Sequence, residues 1–126
     1  MSDLLKEWLT KAEGDYVTAK REAEALKSPN YDAACFHAQQ CIEKLMKAAL
    51  IKFSSTPPKT HDLYQLYILL EPLCVDFRPD IKDLRYLTRA AVDFRYPGES
   101  ADREEAEEAI AICSCLRKAL LSILKK

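Results

Sequence analysis

The chain has 126 residues, enough for one domain around one core. Two glycines and plentiful Ala, Leu, Lys and Glu favour helix, and the formal charge of −1 excludes nucleic-acid binding driven by net charge alone. No apolar run reaches the roughly 18–20 residues of a membrane span, and the acidic N-terminal stretch does not read as a signal peptide, so a cytoplasmic protein with no membrane partner is expected.

Residues from Asp3 to about Leu26 read as a first helix. Leu5, Trp8, Leu9, Ala12, Tyr16, Ala19, Ala23 and Leu26 share a face, and Ser2 or Asp3 caps its start. Gly14 costs about 1 kcal/mol relative to Ala and is expected to admit the backbone of a neighbour. Ser28-Pro29-Asn30 breaks the helix, and Asn30 caps the next.

That second helix runs to about Phe53. Tyr31, Ala34, Ala38, Cys41, Leu45 and Ala49 recur at steps of three and four, and Phe36, Ile42, Met46 and Leu50 widen the stripe. A helix apolar over most of its circumference needs neighbours on several sides, so it is the expected centre of the fold. His37, Gln39, Gln40, Glu43 and Lys44 interrupt its apolar surface.

Pro57-Pro58 holds the following loop extended. Thr60 or Asp62 caps a third, short helix with Leu63, Leu66, Tyr67, Leu70 and Leu73 inward. A fourth helix starts at Arg78-Pro79-Asp80 with proline in its first turn. Its expected inner face is Ile81, Leu84, Leu87, Ala91 and Phe94, and it ends near Arg95, ahead of Pro97-Gly98. Ser100 or Asp102 caps a last helix with Ala106, Ala109, Ile110, Cys113, Leu116, Leu120, Ile123 and Leu124 inward. Acids crowd its start, and Arg117, Lys118, Lys125 and Lys126 gather towards its end, as the helix dipole favours. Five helices with short loops predict an all-α, antiparallel up-down four-helix bundle with an additional short helix.

Five cysteines, an odd number, are expected to be reduced and mostly buried, because no export signal is read. Cys113-Ser-Cys115 lacks zinc-knuckle spacing, and Cys35 and Cys41 lie about 240° apart around a helix. No metal site and no cofactor is expected. No glycine-rich phosphate loop and no Ser-His-Asp arrangement is readable.

His37 and His61 are the only histidines. His37 reads either as a core histidine bonded to a neighbour or as the lining of a small cleft with Gln40, Lys44 and a residue of the fourth helix. His61 reads as a helix-start residue bonding free amides, or as a site residue. Arg85, Arg89 and Arg95, with Lys82 and interleaved Tyr86 and Tyr96, suit phosphate pairing and base stacking. The alternative is a solvated face with ion pairs to Asp83 and Asp93. Arg95 also suits the bonding of a helix's last carbonyls.

Four segments in order resemble the HEPN domain family: Trp8-x-x-Lys11-Ala12-Glu13-x-Asp15, Cys35-Phe-His-Ala-Gln-Gln-Cys-Ile-Glu-Lys44, Pro57-Pro-Lys-Thr-His-Asp-Leu63 and Arg95-Tyr-Pro97. The resemblance covers nearly the whole chain and implies one HEPN-like domain over residues 1–126. It implies an antiparallel helical bundle, a homodimer, and association with nucleotides or RNA. Many prokaryotic members look like partners of a minimal nucleotidyltransferase encoded beside them, often as a toxin–antitoxin pair. Catalytic members are metal-independent ribonucleases with an arginine four to six residues before a histidine. Here Arg21 is the only arginine preceding either histidine, sixteen residues before His37 and forty before His61, so no catalytic residue carries over. The expected function is a non-catalytic module that binds a nucleotide, RNA or a nucleotidyltransferase. Its candidate contacts are His37, Gln40, Lys44, His61, Arg89, Arg95 and Tyr96. A divergent metal-independent ribonuclease and a purely structural dimerisation module are the alternatives.

Overall fold

The computed structural model describes residues 2–94 and 96–126. Its elements are α1 (Asp3–Glu24), α2 (Tyr31–Lys52), α3 (Leu63–Leu70), α4 (Ile81–Asp93) and α5 (Arg103–Leu124). They form the expected all-α antiparallel bundle of four longer helices with α3 as the short addition. No described helix is long and apolar enough to cross a membrane.

Every helix starts where a short polar side chain accepts an amide that the helix leaves unpaired. Ser2 accepts from Leu5 N–H and Asn30 from Ala33 N–H. Asp62 accepts from Tyr64 N–H and Asp80 from Lys82 N–H. Asp102 and Glu105 form a reciprocal capping box at the head of α5.

α2 is the hub: it packs against all four other helices. Cys35, Ile42, Leu45, Met46 and Leu50 are all buried, so its broad apolar stripe is covered on several sides. α1 reaches the core through Ala12 and Ala19, while Leu5, Trp8, Leu9 and Tyr16 pack partly buried around them.

Several expectations at the element ends are corrected. α1 stops at Glu24, and Leu26, two residues beyond, is fully exposed; the turn that follows places Ser28 at φ +49. Leu73 is exposed because α3 ends at Leu70, and Cys74 and Phe77 take the core positions instead. Pro79 lies one residue before the cap of α4 rather than in its first turn, and Ile81 is exposed. Ile112 rather than Ile110 is the buried member of its pair. Gly14 is exposed, and a Cβ there would meet nothing within 4 Å, so it admits no neighbouring backbone.

The dipole of α5 is also completed differently. Its first turn carries Glu104 and Glu105, but its last turn holds no base. Lys52, at the end of α2, instead donates to the Ile123 and Lys126 carbonyls at 2.7 and 3.1 Å. Arg117 lies further up α5, where it grips Glu13 of α1 through two nitrogens at 2.7–3.0 Å and stacks over Tyr16.

Four cysteines are buried and Cys115 is exposed. Burial, with Glu105, Asp32 and Asp102 nearby, pushes the Cys35 thiol up to about 12. Cys41 shares a hydrogen bond with Cys113 and is buried besides, and both effects raise it. Such thiols behave as small hydrophobes rather than nucleophiles.

Candidate functional site

The polar residues of α2 join into one network that runs around the helix. On one side, Asp15 of α1 meets His37 Nδ1 at 2.8 Å and Lys44 Nζ at 2.5 Å. On the other, Glu43 meets His61 Nδ1 at 2.9 Å and Lys47 Nζ at 3.2 Å. Gln40 and Gln39 connect the two halves. Gln40 accepts from Lys44 at 3.3 Å and donates to Gln39 Oε1 at 2.8 Å; Gln39 donates to Glu43 at 3.1 Å and to the His61 carbonyl at 2.9 Å.

The direction of these bonds follows from what each group is able to do. A carboxylate and a backbone carbonyl only accept, so Gln39 turns its NH2 towards them, and its oxygen then requires a donor from Gln40. Lysine only donates, so Gln40 presents its oxygen to Lys44. The same logic puts a proton on His61 Nδ1, facing Glu43. The amide protons of Gln39 and Gln40 are thus spent inside the network, converging on Glu43.

Glu43 is 5% exposed and Lys47 7%. Burial on its own raises the Glu43 carboxyl, but hydrogen bonds from Gln39, His61 and Lys47 outweigh it and hold the group below its ordinary value. It stays ionised at neutral pH as the anchor of the network. Two carboxylates face two lysines, and one imidazole rests on each carboxylate.

His61 is the exposed end. Its side chain is 77% accessible, and with Nδ1 bonded to Glu43 its Nε2 bonds no described residue. Together with Gln39 and Gln40 it forms one wall of a cleft of about 270 Å³, and Thr88, Ala91 and Val92 of α4 form the opposite wall. Thr88 is itself fixed, because its hydroxyl oxygen accepts the Leu63 amide at the head of α3.

Among the described residues the cleft collects two of the candidates, Gln40 and His61. His37 and Lys44 are instead bonded to Asp15 of α1. His37 is bonded to a neighbour, as its core reading has it, but its side chain is 31% exposed. His61 does not cap α3 with its ring; Asp62 does that. Arg89 lines a separate recess with Tyr86, Asp93 and Glu99. Tyr96 is exposed in the turn after α4, and Arg95 lies outside the described residues. Among the described residues neither Arg85 nor Arg89 makes the expected ion pair with Asp83 or Asp93; Arg85 sits 4.7 Å over the Tyr64 ring. Tyr86 donates to the Glu105 carbonyl, and burial pushes its hydroxyl up to about 12.

Asp15, Gln39, Glu43, Lys47 and Thr88 are the residues that sequence reasoning did not place in the site. The signal for Gln39, Glu43 and Lys47 was their polarity inside the apolar helix α2, and Asp15, Gln39 and Glu43 also fall within the family-like segments.

The profile of the HEPN domain family matches residues 5–123, nearly the whole chain. The chain belongs to the HEPN domain family. This HEPN chain is similar in fold to TT1696 from Thermus thermophilus, at 24% identity and a TM-score of 0.83, covering 97% of this chain and 99% of that one. It is also similar to ST0689, an archaeal HEPN homologue, at 22% identity and a TM-score of 0.67, covering 95% and 97% of the two chains. No curated protein matches it. The segments carrying Asp15, His37, Gln40, Lys44 and His61 all fall within the HEPN match.

Proposed function

We propose that this chain is a non-catalytic HEPN module, a single domain over residues 1–126 acting as a homodimer beside a minimal nucleotidyltransferase, in a toxin–antitoxin-like pair. Its α2–α4 cleft receives a nucleotide or a segment of RNA. The observation that carries the reading is the His61 imidazole, locked by buried Glu43 at one nitrogen and bonded to no described residue at the other, on the wall of a cleft with fixed polar neighbours. A buried, fully paired carboxylate on the central helix, spent on orienting one exposed ring, suits recognition more than packing.

The test is purification of the tagged protein from its own host, with the retained proteins identified by mass spectrometry, followed by calorimetric titration with nucleotides. A nucleotidyltransferase in fixed ratio, and nucleotide binding lost in His61→Ala, are the expected results. Recovery of the chain alone would remove the partner, and heat-silent titrations backed by equilibrium dialysis would remove the cleft ligand.

A second reading has an observation of its own. Each histidine rests on a carboxylate, an arrangement that also serves proton transfer in a metal-independent ribonuclease. Such a reaction also needs a cation to hold the phosphate, and neither imidazole bonds an arginine among the described residues. Cleavage of labelled RNA in EDTA, abolished by His61→Ala or His37→Ala, would establish this reading in place of the first.

A further inference from the structure

We infer that Arg85, held on the Tyr64 ring at the rim of the α2–α4 cleft, binds a phosphate of the ligand that the cleft receives. The inference rests on the proposal that the cleft takes a nucleotide or RNA, and it names the residue that meets the charged part of that ligand.

On sequence alone, Arg85 and Arg89 suit a phosphate equally well. The structure separates them. Arg89 lines its recess together with three carboxylates, those of Asp93, Glu99 and Glu105. A phosphate entering there meets like charges. Arg85 is exposed, with its Cζ 4.7 Å from the centroid of the Tyr64 ring. A cation–π contact places a guanidinium without using its N–H groups. Among the described residues nothing accepts a hydrogen bond from Arg85 or pairs with its charge. Other arginines spend their donors inside the fold: Arg117 on Glu13, Arg103 on Glu107 and Arg78 on the Val75 carbonyl. Arg85 thus joins a fixed place to a full set of unspent donors, in the planar fork that matches two phosphate oxygens at once.

The platform under Arg85 is itself held, and it adjoins the cleft. Tyr64 packs partly buried on the core, and Asp62 accepts its amide at 2.9 Å. Leu63, the residue before it, donates to Thr88 on the cleft wall at 3.1 Å. Thr88 follows Arg85 by three positions on α4, a spacing that makes neighbours of about 5–6 Å between Cβ atoms. The guanidinium therefore stands where α3 meets α4, beside the opening that His61 lines from the other wall. Lys82, one turn earlier on α4, is also exposed and pairs with no described carboxylate, so it adds a second positive charge next to the first. With a formal charge of −1 the chain as a whole does not attract a polyanion, and a local pair of cations supplies what net charge does not.

The experiment titrates the full chain with a labelled single-stranded RNA decamer of mixed sequence, and with ribonucleoside 5′-monophosphates, over a series of salt concentrations. For single strands each neutralised phosphate contributes about 0.7 to the slope of log affinity against log salt. Arg85→Gln, whose fold is checked by circular dichroism, is expected to bind about tenfold more weakly, as the loss of one charge-assisted hydrogen bond gives, and to reduce the slope for the RNA by about 0.7. Arg89→Gln is expected to leave affinity and slope unchanged. Unchanged binding in Arg85→Gln, with binding still lost in His61→Ala, overturns this inference while the cleft reading stands. Weaker binding with an unchanged slope also overturns it, because Arg85 would then support the fold and not a phosphate. Failure of the unaltered chain to bind either the RNA or the nucleotides overturns the two together.

Discussion

At the scale of single residues, Glu43 is the group on which most depends. It sits 5% exposed on α2 and accepts from Gln39, Gln40, His61 and Lys47. Removing one member of a buried ion pair leaves the other uncompensated, at a cost of about 3–5 kcal/mol. Glu43→Ala should lose stability of that order in urea unfolding at pH 7, because Lys47 is buried as deeply. The pH dependence has a definite sign. The folded carboxyl lies below its ordinary value of 4.5, so its contribution is complete above that pH and is lost as pH falls through the folded value. Unfolded chains bind the proton more readily in that window. Glu43→Gln should therefore flatten the fall of stability below pH 4.5, and an unchanged acid limb would show that the network does not hold the carboxylate. The sequence marked Glu43 as an interruption of the apolar surface of α2 but did not show its partners. Glu43 meets His61 from 18 residues away, where the loop after Pro57-Pro58 returns to α2. Asp15 meets His37 across 22 residues for the same kind of reason. Local periodicity carries no information about such crossings.

At the scale of helices, far more was legible. All five follow from spacing and capping, and Asn30 and Asp102, the latter one of two candidates, were readable as residue types at helix starts. The ends were less so, because where a helix stops depends on what it packs against. Leu26 fits the stripe of α1 but falls past its last turn, and Lys52 replaces the expected bases at the end of α5. Two substitutions test this level. Gly14 is mid-helix, exposed and unobstructed, so Gly14→Ala should raise stability by about 0.5–1 kcal/mol through lost backbone entropy in the unfolded chain. Lys52→Met keeps the aliphatic stem but strips the donor from the last carbonyls of α5. Helix-terminal cations of this type contribute about 0.3–1 kcal/mol, and the loss should show as a lower unfolding temperature together with faster amide exchange in the last turn of α5.

For the whole molecule, the arrangement around α2 makes one further outcome necessary. α1, α3, α4 and α5 each pack on α2, and α1 touches none of the others except α5. Exposing the amides of α2 thus requires its neighbours to detach together, whereas the ends of α1 can open alone. Proteins open in units whose free energies range from near zero at fraying ends up to the global value in the core. Hydrogen exchange should place the slowest amides along Cys41–Leu50, with protection equal to the unfolding free energy measured in urea. Leu45→Ala sharpens the test. Leu45 is 2% exposed, and truncating such a leucine costs about 2–5 kcal/mol. If the helices form one cooperative unit around α2, the protection of amides throughout Cys41–Leu50 should fall by the same amount as the global stability. Amides at the start of α1, which already open locally, should not change. Protection of α2 that survives while global stability falls would mean that α2 is held by a smaller unit than the bundle, and that its burial against four helices is not what stabilises it.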